Sequence, residues 1–143
     1  MIVIASDHAG VDLKARLVEL ISEGGHEVRD LGPADTTSVD YPDFAHAVAV
    51  TTAAGDAEKG ILICGTGIGM SMAANRHPQV RAALCHDAFT AEMARRHNDA
   101  NVLCIGARST GSGVAEQMVR IFLETPYEGG RHQRRVEKIE REG

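Results

Sequence analysis

The residues best equipped for chemistry are Cys64 and the glycines behind it, in Cys64-Gly65-Thr66-Gly67-Ile68-Gly69. Three alternating glycines let a backbone turn tightly and approach a ligand, and a helix starting there offers unpaired N–H groups to an anion. Such a cradle holds a phosphate, or an oxyanion that develops during reaction. A thiol at its edge lies near a helix N-terminus, which favours the thiolate. The plainer reading is a cysteine closing a buried strand and a turn that packs helix on sheet. Asp7-His8 has two sides as well. Asp7 is a good helix cap, yet a carboxylate and an imidazole at one crevice can move protons and contact an anion.

Two further groups stand later in the chain. His97-Asn98 closes the stretch AEMARRH. A helix dipole alone explains a histidine there, so spacing leaves its role open. The segment Gly129-Gly130-Arg131-His132-Gln133-Arg134-Arg135 places cations at a helix start, against the dipole. Guanidinium groups belong there if an anion sits among them, and Arg131 and Arg135 share a face. A solvated face paired to Glu137 and Glu140 is the alternative. Arg108 could supply another guanidinium.

Other chemistries find less support. The loop reads GxGxG rather than GxGxxG, so Asp87, about 20 residues on, is a poor match to a dinucleotide-binding acid. No HxxxH, HExxH or cysteine cluster suggests a metal, and no GxSxG suggests a hydrolase nucleophile.

These residues need elements to carry them. Short β-branched runs at 2–6, 27–31, 60–64, 80–85 and 101–106 predict strands. Several are apolar throughout, as in parallel strands covered on both faces. Helical stretches lie between them at 11–22, 45–54, 70–75 and 88–96, then at 113–123 and from about Arg131. Gly24-Gly25 stops the first. Gly-Pro at 32–33 and Tyr-Pro at 41–42 read as brackets of a loop. The rhythm predicts one α/β domain over residues 1–143, doubly wound around five parallel strands, with a charged C-terminal helix. Ligands in such sheets bind beyond the carboxyl ends of the strands. Asp7, His8, Gly65–Gly69 and Arg108 follow strands; His97, at a helix end, is expected at the opposite edge.

Composition sets the outer bounds. The 143 residues are 43% hydrophobic and 24% charged, enough for one aliphatic core. Aromatics are 3%, which disfavours stacking platforms for single-stranded nucleic acid. Net charge is -5, against generic binding to DNA or acidic membranes. Residues 131–143 nevertheless carry five basic and three acidic groups, Glu142 among them, a local surplus that suits a small anion. No apolar run reaches the roughly 20 residues of a membrane span, and the first residues lack a basic signal region. Cys85 and Cys104 sit in apolar runs and read as buried; an odd count of three cysteines suits a reduced cytoplasmic setting.

Taken in order, ASDHAG, DYPD at 40–43, GILICGTGIGMSMAAN at 60–75, RRHNDANVLCIGAR at 95–108 and YEGGRHQRRV at 127–136 resemble the type B ribose-5-phosphate isomerases and related sugar-phosphate isomerases. The resemblance implies a Rossmann-like or flavodoxin-like domain working as a homodimer, in some members a dimer of dimers, with the active site between subunits. It implies no cofactor and no metal. The reaction would interconvert D-ribose 5-phosphate and D-ribulose 5-phosphate through a cis-enediolate. Relatives acting on allose 6-phosphate or four-carbon ketose phosphates are alternatives, as is a non-catalytic phosphate or nucleotide sensor. By the same resemblance Cys64 would move the proton between C1 and C2, Thr66 and His97 would assist ring opening, and Asp7 would handle hydroxyl protons. Backbone amides of Gly65, Gly67, Ile68 and Gly69, with Asn98, would stabilise the enediolate. His8, Arg108, Arg131, His132 and Arg135 would hold the phosphate, some across the dimer, and Tyr41 would line the sugar pocket. Branches that lack the cysteine use a Glu near the position of Met70; this chain has Cys64 and no acid between 65 and 75.

Overall fold

A computed structural model describes residues 1–141; Glu142 and Gly143, the end of the expected 1–143 domain, lie outside the described residues. The strands are β1 (Ile2–Ser6), β2 (Val28–Asp30), β3 (Lys59–Cys64), β4 (Ala82–Leu84) and β5 (Val102–Gly106). The helices are α1 (Val11–Glu23), α2 (Tyr41–Ala53), α3 (Ile68–Ala74), α4 (Ala88–Arg96), α5 (Ser112–Glu124) and α6 (Arg131–Glu137). All strand pairs are parallel and the order is β2-β1-β3-β5-β4. The doubly wound five-stranded sheet is as expected. Its last two strands are exchanged relative to the simple flavodoxin order.

Apolar runs become central strands because both faces are covered. Ile2, Ile4, Ile61, Ile63, Leu103 and Ile105 pack against α1, α4 and α5 through Leu17, Ile21, Ala91, Ala94, Met118 and Phe122. Val3, Ala5, Leu62, Val102 and Cys104 alternate to the other face, against Val48 and Ala49 of α2 and Met70 and Ala74 of α3. Each fully buried aliphatic side chain contributes about 1.5–3 kcal/mol over exposure, and the three central strands carry seven of the twelve largest fully buried side chains. Cys85 and Cys104 are both buried, as their apolar surroundings suggest.

The boundaries differ where signals were local. Tyr41-Pro42 opens a helix rather than bracketing a loop, with the proline in the first turn where its missing N–H costs nothing. α3 begins two residues early, directly behind Gly67. β2 and β4 shrink to three residues each, because each is an edge strand with only one neighbour. Connections run to opposite sides from β1 and β3, so the crevice at the switch point lies between their carboxyl ends. Asp7 and Cys64 stand there.

Candidate active site

The end of β1 is tied to β3 one residue before the cysteine: the Asp7 N–H donates to the Ile63 carbonyl at 2.9 Å. Asp7 is buried, and one carboxylate oxygen accepts the Ala9 N–H at 2.9 Å, capping the turn His8–Gly10. The cap expected from sequence is therefore real, and the same side chain lines a cleft. On the other side β5 holds the loop: Ala107 and Arg108 donate their N–H groups to the carbonyls of Cys64 and Gly65 at 2.8 and 2.9 Å. Backbone bonds of the sheet thus place Asp7, Cys64 and Arg108 relative to one another.

The glycine loop is shaped by two contacts. Gly67 has φ +80° and caps α3, a left-handed conformation that glycine adopts without penalty. Its N–H donates to Cys64 Sγ at 3.1 Å, so a main-chain dipole is aimed at the sulfur. Gly69 lets the Tyr41 ring lie against the loop, where a Cβ would overlap that ring. Thr66 is exposed and its Oγ1 accepts the Ile68 N–H at 3.3 Å. The result is an open cleft of about 450 Å³, bounded by Asp7, Tyr41, Cys64 and Arg108, the loop residues Gly65, Thr66, Ile68 and Gly69, and Met72. His8 stands beside Asp7; its Nδ1 accepts the Val39 N–H at 3.2 Å, which puts the proton of the neutral ring on Nε2.

Met72 was not legible as a site residue, since an apolar side chain on a helix reads as core. It is 63% exposed, one turn beyond Ile68, which is itself exposed. That i, i+4 spacing was the signal available.

The remaining expected residues gather elsewhere. α4 runs antiparallel to the strands, so His97 and Asn98 emerge at their amino ends, as anticipated. α6 joins them: His97 and His132 stack with centroids 4.2 Å apart and planes 14° apart. His132 is buried, whereas Arg131 and Arg135 are exposed on the same helix. Burial, then the neighbouring His97 and Arg131, hold the His132 ring below its ordinary pKa, which favours the neutral form. Ligand atoms of His97, Glu128 and His132 lie within 4.8 Å of one another.

Within one chain, then, the predicted residues form two groups at opposite edges of the sheet. Asp7, His8, Tyr41, Cys64 to Gly69 and Arg108 make an upper half-site. His97, Asn98, Arg131, His132 and Arg135 make a lower one. Among the described residues no helix is long and apolar enough to cross a membrane.

Known proteins share this fold and much of this sequence. The chain is 45% identical over 138 residues to ribose-5-phosphate isomerase B of Escherichia coli, covering 96% of this chain and 93% of that one. The solved type B ribose 5-phosphate isomerase of Trypanosoma brucei superposes with TM-score 0.94 at 50% identity, over 96% of this chain and 95% of the other. That of Clostridium thermocellum gives 0.95 at 46% identity, over 96% and 93%. The sequence profile described as Ribose/Galactose Isomerase matches residues 2–139. By its sheet, its Cys64 loop and this end-to-end similarity, the chain belongs to the ribose/galactose isomerase family.

Proposed function

We propose that this chain interconverts D-ribose 5-phosphate and D-ribulose 5-phosphate, with Cys64 as the base. The observation that carries the reading is Cys64 Sγ in the cleft, accepting the Gly67 N–H at 3.1 Å, with the Asp7 carboxylate and the Arg108 side chain on the same cleft. Moving a proton between adjacent carbons requires a base beside the carbon and preorganised donors for the new oxyanion. The Cys64 thiolate removes the C2 proton, and the electron pair flows into the C1 carbonyl to give the cis-enediolate. Asp7 relays the proton from the C2 hydroxyl to the C1 oxygen. The Cys64 thiol then returns its proton to C1 and the carbonyl re-forms at C2. Loop amides and Asn98 hold the enediolate oxygens; the Gly67 N–H serves the sulfur instead. Thr66 and His97 assist opening of the furanose ring.

The phosphate is assigned to His8, Arg108, Arg131, His132 and Arg135, where remote binding energy orients the reacting carbons. Because these residues lie at opposite edges, the reading requires a homodimer whose lower half-site enters the partner's cleft; a tetramer would be two such pairs. Residues 1–143 act as a single isomerase domain in a reduced cytoplasmic setting. The test is a continuous assay without added metal on ribose 5-phosphate, allose 6-phosphate and erythrulose 4-phosphate. Conversion of ribose 5-phosphate is expected to dominate. Preference for another sugar would move the substrate and keep the chemistry, and silence on all three would favour a non-catalytic phosphate or nucleotide sensor.

A further inference from the structure

The lower half-site has a problem the upper one lacks: its two imidazoles come from different helices, α4 and α6, and no strand carries either of them. A single buried side chain touches both supports. Arg95 is 7% exposed, in the last turn of α4. Its Nη1 donates to Asp99 Oδ1 at 3.0 Å and to the Ala100 carbonyl at 2.6 Å. These bonds hold the turn that follows His97. Its Nε donates to the Thr125 carbonyl at 3.2 Å, at the start of the loop leading to α6. The guanidinium carbon sits 5.9 Å from the centroid of the Phe122 ring, which closes the site from the core side.

Asp99 is unusual in its own right. Its φ is +47°, a left-handed conformation that aspartate reaches more readily than most residues. A second arginine grips it there: Arg81 donates from Nε to the Asp99 carbonyl at 2.9 Å and from Nη2 to Oδ2 at 3.4 Å. The Glu128 N–H donates to the Arg96 carbonyl at 3.1 Å and sews the same loop to the end of α4. Stability alone would be served about as well by apolar packing in place of this partly buried ion pair. What a guanidinium adds is a rigid fork of directed donors.

We propose that Arg95, with Asp99 as its counter-charge, is the positioning residue of the lower half-site: it fixes the turn of His97 and the approach to α6 so that His97 and His132 stack. It touches no substrate. The inference rests on the proposed isomerisation only for its kinetic consequence; the stacking itself is open to direct observation.

The test uses the full-length chain with Arg95→Lys, which keeps the charge and loses the fork. Asp99→Asn, which tolerates the left-handed backbone, serves as a second variant should the first not fold. In the folded variant, kcat on ribose 5-phosphate is expected to fall about ten- to a hundredfold through the displaced His97, and KM to rise about three- to tenfold through the displaced His132, which the reading places on the phosphate. Long-range proton–nitrogen spectra should show the His97 and His132 rings moved. His8 and His86, which follow β1 and β4 at the opposite edge of the sheet, should be unmoved and serve as the control for general loosening. Unchanged His97 and His132 signals would overturn the proposal, as would movement of all four rings together. Moved His97 and His132 rings with kcat intact would overturn its kinetic half. If the wild-type chain converts no sugar phosphate, the isomerase reading fails and the spectra alone decide the brace.

Discussion

The two half-sites are built by different means. In the upper one, main-chain bonds between β1, β3 and β5 set Asp7, Cys64 and Arg108, and glycine removes the obstacles. In the lower one, side chains do the placing: a buried arginine, a left-handed aspartate and two stacked imidazoles on peripheral helices. The group proposed for bond making stands at the end of a fully buried central strand, while the lower groups proposed for ring opening and phosphate stand on peripheral helices. Precision is invested where a misplaced base would cost most.

The sharpest way to break this contrast is Cys64→Ala, which keeps the Cβ and the fold. Turnover should drop by about 10²–10⁴-fold while calorimetry still finds ribose 5-phosphate bound. Retained turnover would remove the base from the upper half-site. Alkylation should find the same residue: burial pushes the Cys85 thiol up to about 11 and raises that of Cys104 as well, so iodoacetamide should label Cys64 alone.

A second experiment sharpens the division by mixing. Chains carrying Cys64→Ala and chains carrying His97→Gln are each expected to be inactive. Random exchange between dimers should restore about a quarter of wild-type activity, since half the pairs are mixed and each mixed pair holds one intact site. No recovery would place both residues in one chain's cleft.

The smallest expected effect concerns pH. In the folded chain His132 is held below its ordinary 6.5, so the unfolded chain takes the proton first. Its contribution is present in full above that pH. It is lost as pH falls below 6.5, until the folded ring is protonated too. Melting temperatures from pH 5 to 8 should therefore fall more on the acid side in wild type than in His132→Gln, by at most a few degrees. Parallel curves would mean that the stack does not exclude the charged ring.

Legibility in the sequence followed the same division. The three central strands were plain, because burial on both faces demands unbroken apolar runs. The edge strands were overextended, since Arg29 and Asp30 at one edge face solvent and carry no period. The upper half-site followed from a rule of the fold, that ligands sit where strands end. The start of α2 was misread although Pro42 in a first turn is itself a helix signal. His97 could be placed at the opposite edge but given no task by spacing, and Arg95 could not be seen at all. An arginine on a helix reads as solvated, and its burial depends on a carbonyl 30 residues later in the chain.

The exchange of the last two strands bears on how the chain is made. β4 pairs with β5 and with no other strand, so it waits for residues 102–106 before it has a place in the sheet. A nascent chain that folds from its N-terminus can assemble β1, β2 and β3, yet β3 keeps an open edge until that later segment is synthesised. Directly behind that segment come the Ala107 and Arg108 amides that bind the carbonyls of Cys64 and Gly65. The Cys64 loop is therefore locked late, after nearly three-quarters of the chain has been made, and any fragment stopping short of residue 102 would carry an exposed strand edge and an unclosed cradle.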